Sequence, residues 1–219
     1  MENQKSGSKN KKQINKEIEN PKNGRISWSY KSSGIPDDQF IRGNIPMTKE
    51  EIRVITVSKL RIREKSVIYD IGAGTGSISI EAALIAQKGK VYAVERENEG
   101  IKLIEQNKKK FCLSNIEIIK GEAPSVLNEL PSPDRVMIGG SGGNLKEILD
   151  TIAANKETSP RIVINAVTVN TLSTAFNYLQ NNDYDFDICH ISVSKNKDIA
   201  NYKMLKSLNP VYIISAQKS

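Results

Sequence analysis

Histidine and tryptophan each occur once in these 219 residues, cysteine twice, and aromatic side chains make up 5% of the chain. With His190 the single imidazole, no Ser/His/Asp or Cys/His constellation is evident, which argues against an activated side-chain nucleophile. Cys112 and Cys189 form neither a metal-ligand spacing nor a disulfide framework; they read as buried free thiols in a reducing compartment. A core so poor in aromatics must rest on Ile, Val and Leu. No apolar run approaches the ~18 residues that span a bilayer, and the N-terminus lacks the apolar stretch of a signal peptide. These absences point to a soluble cytoplasmic protein, and the length to one domain.

Cations, by contrast, are in excess. The net charge is +7 and the isoelectric point about 9.3, a balance that suits acidic partners. Six lysines and three glutamates fall within residues 1–24, so that segment carries +3 and the remaining body only +4. Residues 1–24 are polar and nearly devoid of large apolar side chains, which predicts a disordered tail ahead of a folded domain over 25–219. No aromatic is interleaved among the tail lysines, which counts against a nucleic-acid arm.

From Met47 the pattern becomes periodic. Thr48 and Glu51 stand at capping-box spacing ahead of Ile52, Ile55, Val57 and Leu60, predicting an amphipathic helix over 48–60. Short apolar runs then alternate with helical stretches. Strands are expected at 67–71, 91–95, 116–119, 135–138 and 162–165, with helices at 77–87, 98–111, 145–154 and 172–180. Crossovers long enough for helices imply a parallel sheet covered on both faces. Residues 186–194 and 211–215 are strand-like with no helix between them, so they should pair as an antiparallel hairpin-like addition at one edge. The expected architecture is α/β: a doubly wound, Rossmann-like, seven-stranded and mostly parallel sheet.

At the end of the first strand stands Asp70-Ile71-Gly72-Ala73-Gly74-Thr75-Gly76. Glycines at a strand-to-helix turn let the backbone approach a ligand closely. The register is G-x-G-x-G; a dinucleotide fingerprint G-x-G-x-x-G would need glycine where Ser77 stands. Dinucleotide loops aim a helix N-terminus at a pyrophosphate, whereas an acid at Asp70 suits the cationic sulfonium of S-adenosylmethionine. Glu95 closes the second strand and can accept hydrogen bonds from the ribose hydroxyls of an adenosine. Gly121-Glu122-Ala123 follows the third strand, where Glu122 and Ala123 would cap the adenine. Thus Asp70, Gly72, Gly74, Gly76, Glu95 and Glu122 are the candidate cofactor residues.

The segments Gly34–Gly43 and Ile45-Pro46-Met47-Thr48-Lys49-Glu50-Glu51-Ile52-Arg53, the DIGAGTGSISIEAA run over 70–83 and the Gly139-Gly140-Ser141-Gly142-Gly143 loop together resemble the decarboxylating cobalt-precorrin-7 C-15 methyltransferases. These are the T-type proteins of cobalamin synthesis, which also occur fused in precorrin-6Y C-5/C-15 enzymes. The resemblance covers about residues 34–215. It implies that Thr48, Ala73, Thr75 and Ala123 join the cofactor contacts, with 34–60 serving substrate and cofactor. It also implies a tetrapyrrole substrate and a homotetramer, and leaves open whether a separate C-5 methyltransferase is a partner subunit. Ala73 departs from the family's usual Cys or Ser, and Glu122 from its usual Asp.

Other features agree with that chemistry. The fourth strand ends in Ile138 and the glycine loop, the fifth in Asn165-Ala166-Val167; neither is the Asp/Asn-Pro-Pro-aromatic signature of amine methylases on nucleic acid. The loop's unhindered N–H groups at Gly140, Ser141, Gly142 and Gly143 could form an anion nest for substrate carboxylates. Arg42 is a candidate carboxylate partner or a surface ion-pair member. Asn165 either faces the crevice at the strand ends or serves to turn the chain. His190, in a strand-like run, reads as a structural residue. A nucleophilic meso carbon needs in-line positioning more than a strong base, and positioning alone can supply about 7–11 kcal/mol. No general acid or base is assigned. Three alternatives stay open: an RNA methyltransferase of the same fold, a non-catalytic S-adenosylmethionine-binding subunit, and a nicotinamide dehydrogenase.

Overall fold

Runs rich in Ile and Val form strands because their branched side chains pack well on a pleated surface that is buried on both faces. The computed structural model describes residues 28–155 and 157–218, so the expected tail over 1–24 lies outside it. The chain runs α1 (Glu50–Leu60), β1 (Val67–Ile71), α2 (Ser77–Ile85), β2 (Lys90–Glu95), α3 (Asn98–Lys110), β3 (Ile116–Lys120), β4 (Arg135–Ile138) and α4 (Leu145–Ala154). It continues through β5 (Arg161–Ala166), α5 (Val169–Asn181), β6 (Tyr184–Ile191), β7 (Ser194–Ile199), β8 (Tyr202–Ser207) and β9 (Val211–Lys218). No described helix is long and apolar enough to cross a membrane.

Seven strands make one sheet in the order β3-β2-β1-β4-β5-β9-β6. All are parallel except β9, which runs antiparallel to both β5 and β6. The expected pairing of the last two sheet strands holds, with Tyr184 opposite Lys218 and Ile191 opposite Val211. However, β9 slots between β5 and β6, which leaves β6 as the edge.

Alternate residues face opposite layers. Tyr69 and Ile71 of β1 join a core with Leu145, Ile148 and Leu149 of α4 and Ala175 and Leu179 of α5. Ile68, Val91, Ala93 and Ile116 face the other way, against Ile80 and Ala83 of α2 and Ile104 of α3. Ile52, Val57 and Leu60 of α1 cover Met137, Val163 and Ile213. Helix α2 is buried from Ser77 to Ala83 because α1 and the preceding segment lie over it, which is why it carries no polar stripe.

Four expectations are corrected. Thr48 does not cap α1: the helix begins at Glu50, with Lys49 as N-cap and no side-chain bond from it. The Glu50 N–H donates instead to Asp37 Oδ1, 3.0 Å away, because residues 34–48 fold back over the helix start. Helix α5 begins at Val169 rather than 172, since the Thr168 hydroxyl caps it by accepting from the Thr171 N–H. The thiols are not buried: Cys112 is exposed at the end of α3, and Cys189 is half-buried on the partly covered edge strand. Finally, β7 and β8 form a separate two-stranded ribbon. Every residue in it is exposed, so it carries no apolar alternation from which strands could be read.

Candidate active site

In an open parallel sheet, ligands bind beyond the carboxyl ends of the strands where the order of winding reverses. Here β1 pairs with both β2 and β4, so the reversal falls between β1 and β4. A crevice of about 360 Å³ opens there, lined by Gly72 and Gly74, Glu95–Glu97, Gly121–Ala123, Gly140–Gly142, and Ile45 with Pro46. That volume lies within the usual range for small-molecule sites.

The floor is two crossing backbones. The Gly72 N–H donates to Val94 C=O at 3.0 Å, while the Gly139 and Gly140 N–H groups donate to Ile71 C=O. A Cβ on Gly72 would meet Gly140 O, N and Cα at 2.5, 2.6 and 2.7 Å, and its φ is +71°. Only glycine fits there. Glu95 is 7% exposed. Its Oε1 accepts from the Arg96 and Glu97 N–H groups at 2.8 Å each, and its Oε2 from Gly74 N–H at 2.7 Å. Of the four lone-pair directions of a carboxylate, one remains, on Oε2. Glu95 can therefore accept directly from one ligand hydroxyl, and a second requires the Gly74 N–H to let go. Glu122 forms a half-exposed ion pair with Arg96 at 2.8 Å over the crevice mouth.

Known proteins place this geometry. Residues 38–218 match the precorrin methyltransferase domain. The chain belongs to the precorrin methyltransferase family. It is thus a methyltransferase, and S-adenosylmethionine is the methyl donor of this fold and family. The chain is 40% identical over 87% of its length, and 99% of the relative's, to a probable cobalt-precorrin-6B C(15)-methyltransferase (decarboxylating) of Pyrobaculum calidifontis. It is 35% identical to the cobalt-precorrin-6B C(15)-methyltransferase (decarboxylating) of Salmonella typhimurium, over 83% of this chain and 95% of that one. A solved precorrin-6y C5,15-methyltransferase from Geobacter metallireducens superposes with a TM-score of 0.81 at 43% identity, covering 87% of this chain and 98% of the other.

The crevice fits the family's cofactor: a glycine turn in which Gly72 admits no Cβ, a carboxylate at the second strand's end, and Ala123 in the lining. The other expected residues are distributed differently. Asp70 does not line the crevice. It is buried, its Oδ2 accepts from the Ser79 hydroxyl at 2.5 Å, and burial raises its carboxyl to about 6. Alternation explains this: Tyr69 and Ile71 face α4, so Asp70 faces α2. Thr75 is buried behind the loop, and Ala73 and Gly76 complete the turn, with Gly76 N–H donating to Ala73 C=O. Thr48 uses its carbonyl to accept from Arg53, while Ile45 and Pro46 supply the crevice wall.

The residues expected at a separate substrate site also divide. Gly140, Ser141 and Gly142 line the same crevice as Glu95 and Glu122, whereas Gly143 faces open space, where an added methyl group would meet nothing within 4 Å. The Gly140 N–H is spent on Ile71 at 3.3 Å, which removes it from any anion nest. Asn165 points away: its Oδ1 lies 3.1 Å from Thr56 Oγ1, tying β5 to α1. Arg42 is exposed, with no ion-pair partner among the described residues, and stays available to a carboxylate. His190 is exposed and stacks on Tyr212 at 4.6 Å, far from the crevice at the edge strand.

Ile45 and Pro46 are the crevice wall, inside the 34–60 segment expected to serve substrate and cofactor. Two residues escaped sequence reading. Arg96, directly after Glu95, bridges to Glu122. Arg53 is fully buried, a position that Arg almost never takes unpaired. Its guanidinium donates to Glu81 at 2.6 Å, Asp37 at 3.2 Å, Thr48 C=O at 2.6 Å and Ile35 C=O, and lies 4.6 Å over the Phe40 ring. Glu81 also accepts from the Gly34 and Ile35 N–H groups. Together they seat residues 34–48 as a strap across α1 and α2.

Proposed function

We propose that this chain methylates C-15 of a cobalt-precorrin and promotes loss of carbon dioxide from the C-12 acetate side chain, in cobalamin biosynthesis in the cytoplasm. The substrate meant is the one the relatives' names carry, cobalt-precorrin-6B, in place of cobalt-precorrin-7. One observation carries the reading: a single crevice joins the glycine cradle, Glu95 and the Gly140–Gly142 loop. When bound, S-adenosylmethionine supplies a sulfonium-activated methyl group. The protein's own part is to hold both reactants at near-attack distance and exclude water, which suits a carbon nucleophile that needs no strong base. In this reading the N–H groups of Ser141 and Gly142, which line the crevice, and the exposed Arg42 take substrate carboxylates.

The same reading includes a homotetramer and a separate C-5 methyltransferase. The exposed Ile199, Tyr202, Met204 and Leu205 of the β7–β8 ribbon are a surface that a second copy would cover. Light scattering on the purified chain tests the assembly, and residues 1–24 should be removable without changing it. For the reaction, the wild-type protein is incubated with S-adenosylmethionine and cobalt-precorrin-6B and the product weighed by mass spectrometry. Gain of one methyl with loss of carbon dioxide is expected. Methylation of tRNA with no reaction on any precorrin would overturn the proposal.

A further inference from the structure

The crevice has a wall that belongs to no strand. Ile45 and Pro46 close it from the strap, and the strap lies over the glycine loop with space for one methyl group: a Cβ added to Gly74 would stand at ordinary contact distance, 3.4 Å from Pro46 O and 3.5 Å from Ile45 Cγ2. The spacing between strap and loop therefore sets the crevice on that side. One side chain holds both.

Asn107, on α3, is fully buried. Its Oδ1 accepts from the Ile41 N–H at 2.8 Å, and its Nδ2 donates to Ile41 C=O at 3.0 Å and to Thr75 C=O at 2.9 Å. Both amide hydrogens are used, one on the strap and one on the glycine loop. A carboxamide is the smallest side chain that offers one acceptor and two donors in a plane, which is what a strap residue's N–H and C=O plus one loop carbonyl require. None of Asn107, Ile41 and Thr75 lines the crevice.

We infer that Asn107 is a positioning residue for methyl-donor binding, holding the strap at a fixed distance from the glycine loop without touching the ligand. Removing it leaves the buried Thr75 carbonyl and the part-buried Ile41 carbonyl and N–H without their side-chain partner, and the loss is felt as a loosened crevice wall. The inference rests on S-adenosylmethionine being the ligand of this crevice.

The test compares S-adenosylmethionine dissociation constants by calorimetry in wild type, Asn107→Ala, Asn107→Asp and the remote core variant Leu179→Ala. Wild type should bind; if it does not, the ligand assignment fails, and the positioning role with it. Given binding, Asn107→Ala should weaken it at least tenfold, while Leu179→Ala, which lowers thermal stability through the far layer, should leave it unchanged. Asn107→Asp carries a diagnostic. Its ionised form opposes two carbonyls, whereas its protonated form regains one donor, so its affinity relative to wild type should recover as pH falls. A ratio that stays constant with pH, or Asn107→Ala bound as tightly as wild type, overturns the inference and leaves Asn107 as packing only. A measurement on the wild type stands should both variants fail to fold. Saturating S-adenosylmethionine should slow hydrogen exchange at the Ile41 amide at least fivefold, although Ile41 does not face the ligand; unchanged exchange overturns the role.

Discussion

Arg53 Nε lies 2.6 Å from Glu81 Oε1, and neither side chain reaches solvent. The pair joins the helix that follows the glycine loop to the helix that follows the strap, and Asp37 adds a second carboxylate at 3.2 Å. A buried ion pair gains little over a well-packed apolar pair, but removing one partner strands the other charge. Arg53→Met should therefore destabilise the protein by about 3–5 kcal/mol in urea denaturation. Adding Glu81→Gln should restore part of that loss, because the neutral amide no longer carries a stranded charge. A double variant less stable than Arg53→Met alone would show that the charge on Glu81 is not what is left uncompensated.

Asp70 gives a pH dependence of definite sign. Burial raises its carboxyl from 3.8 to about 6, against the opposing bond from Ser79. A folded-state value above the unfolded one means that the neutral form is favoured by folding. That contribution is fully present below pH 3.8 and is lost as pH rises through about 6. Asp70→Asn has no charge to bury and keeps an acceptor for the Ser79 hydroxyl. Its stability relative to wild type should rise by about 3 kcal/mol between pH ~3.5 and pH ~7.5. Denaturation curves at both values test this; a difference that does not change with pH would rule it out.

Glu95→Ala should weaken S-adenosylmethionine binding by about 1.5–3 kcal/mol, the worth of a hydrogen bond to a charged group. It also frees the Gly74 N–H, which Glu95 holds at 2.7 Å. NAD should not bind either protein detectably in calorimetric titration. Unchanged affinity in the variant would mean that the ribose lies elsewhere.

Two glycines with positive φ should respond differently to the same methyl group. Gly72→Ala drives a Cβ into the Gly140 backbone, whereas at Gly143 there is nothing within 4 Å. Gly143→Ala carries only the strain of its positive φ of +96°, while Gly72→Ala adds a clash that backbone must absorb. Denaturation midpoints should fall further for Gly72→Ala. Equal midpoints would refute the tight crossing of the two loops.

The sequence by itself determined the alternation of strands and helices, because burial on both faces writes short Ile/Val runs and the crossovers write helical spacing. β1, β4 and α4 fall at 67–71, 135–138 and 145–154, the residues the pattern predicts. It also placed Gly72, Gly74, Glu95, Glu122 and Ala123 around one crevice, since strand ends in a parallel sheet share an edge. What it left open was direction and distance. Asp70 stands next to the glycines in sequence, yet pleating turns its carboxyl to Ser79. Asn165 ends a strand but ties itself to Thr56 on α1. The cap of α1 comes from Asp37, 13 residues upstream, a relation no local motif encodes. Asn107 reads as one polar residue in a lysine-rich helix, and becomes the clamp between strap and loop only once residues 41 and 75 are brought to it. Periodicity records which layer a side chain belongs to; partners from distant segments are decided by how those layers stack, because a buried polar group is satisfied by whichever chain the packing brings within 3 Å of it.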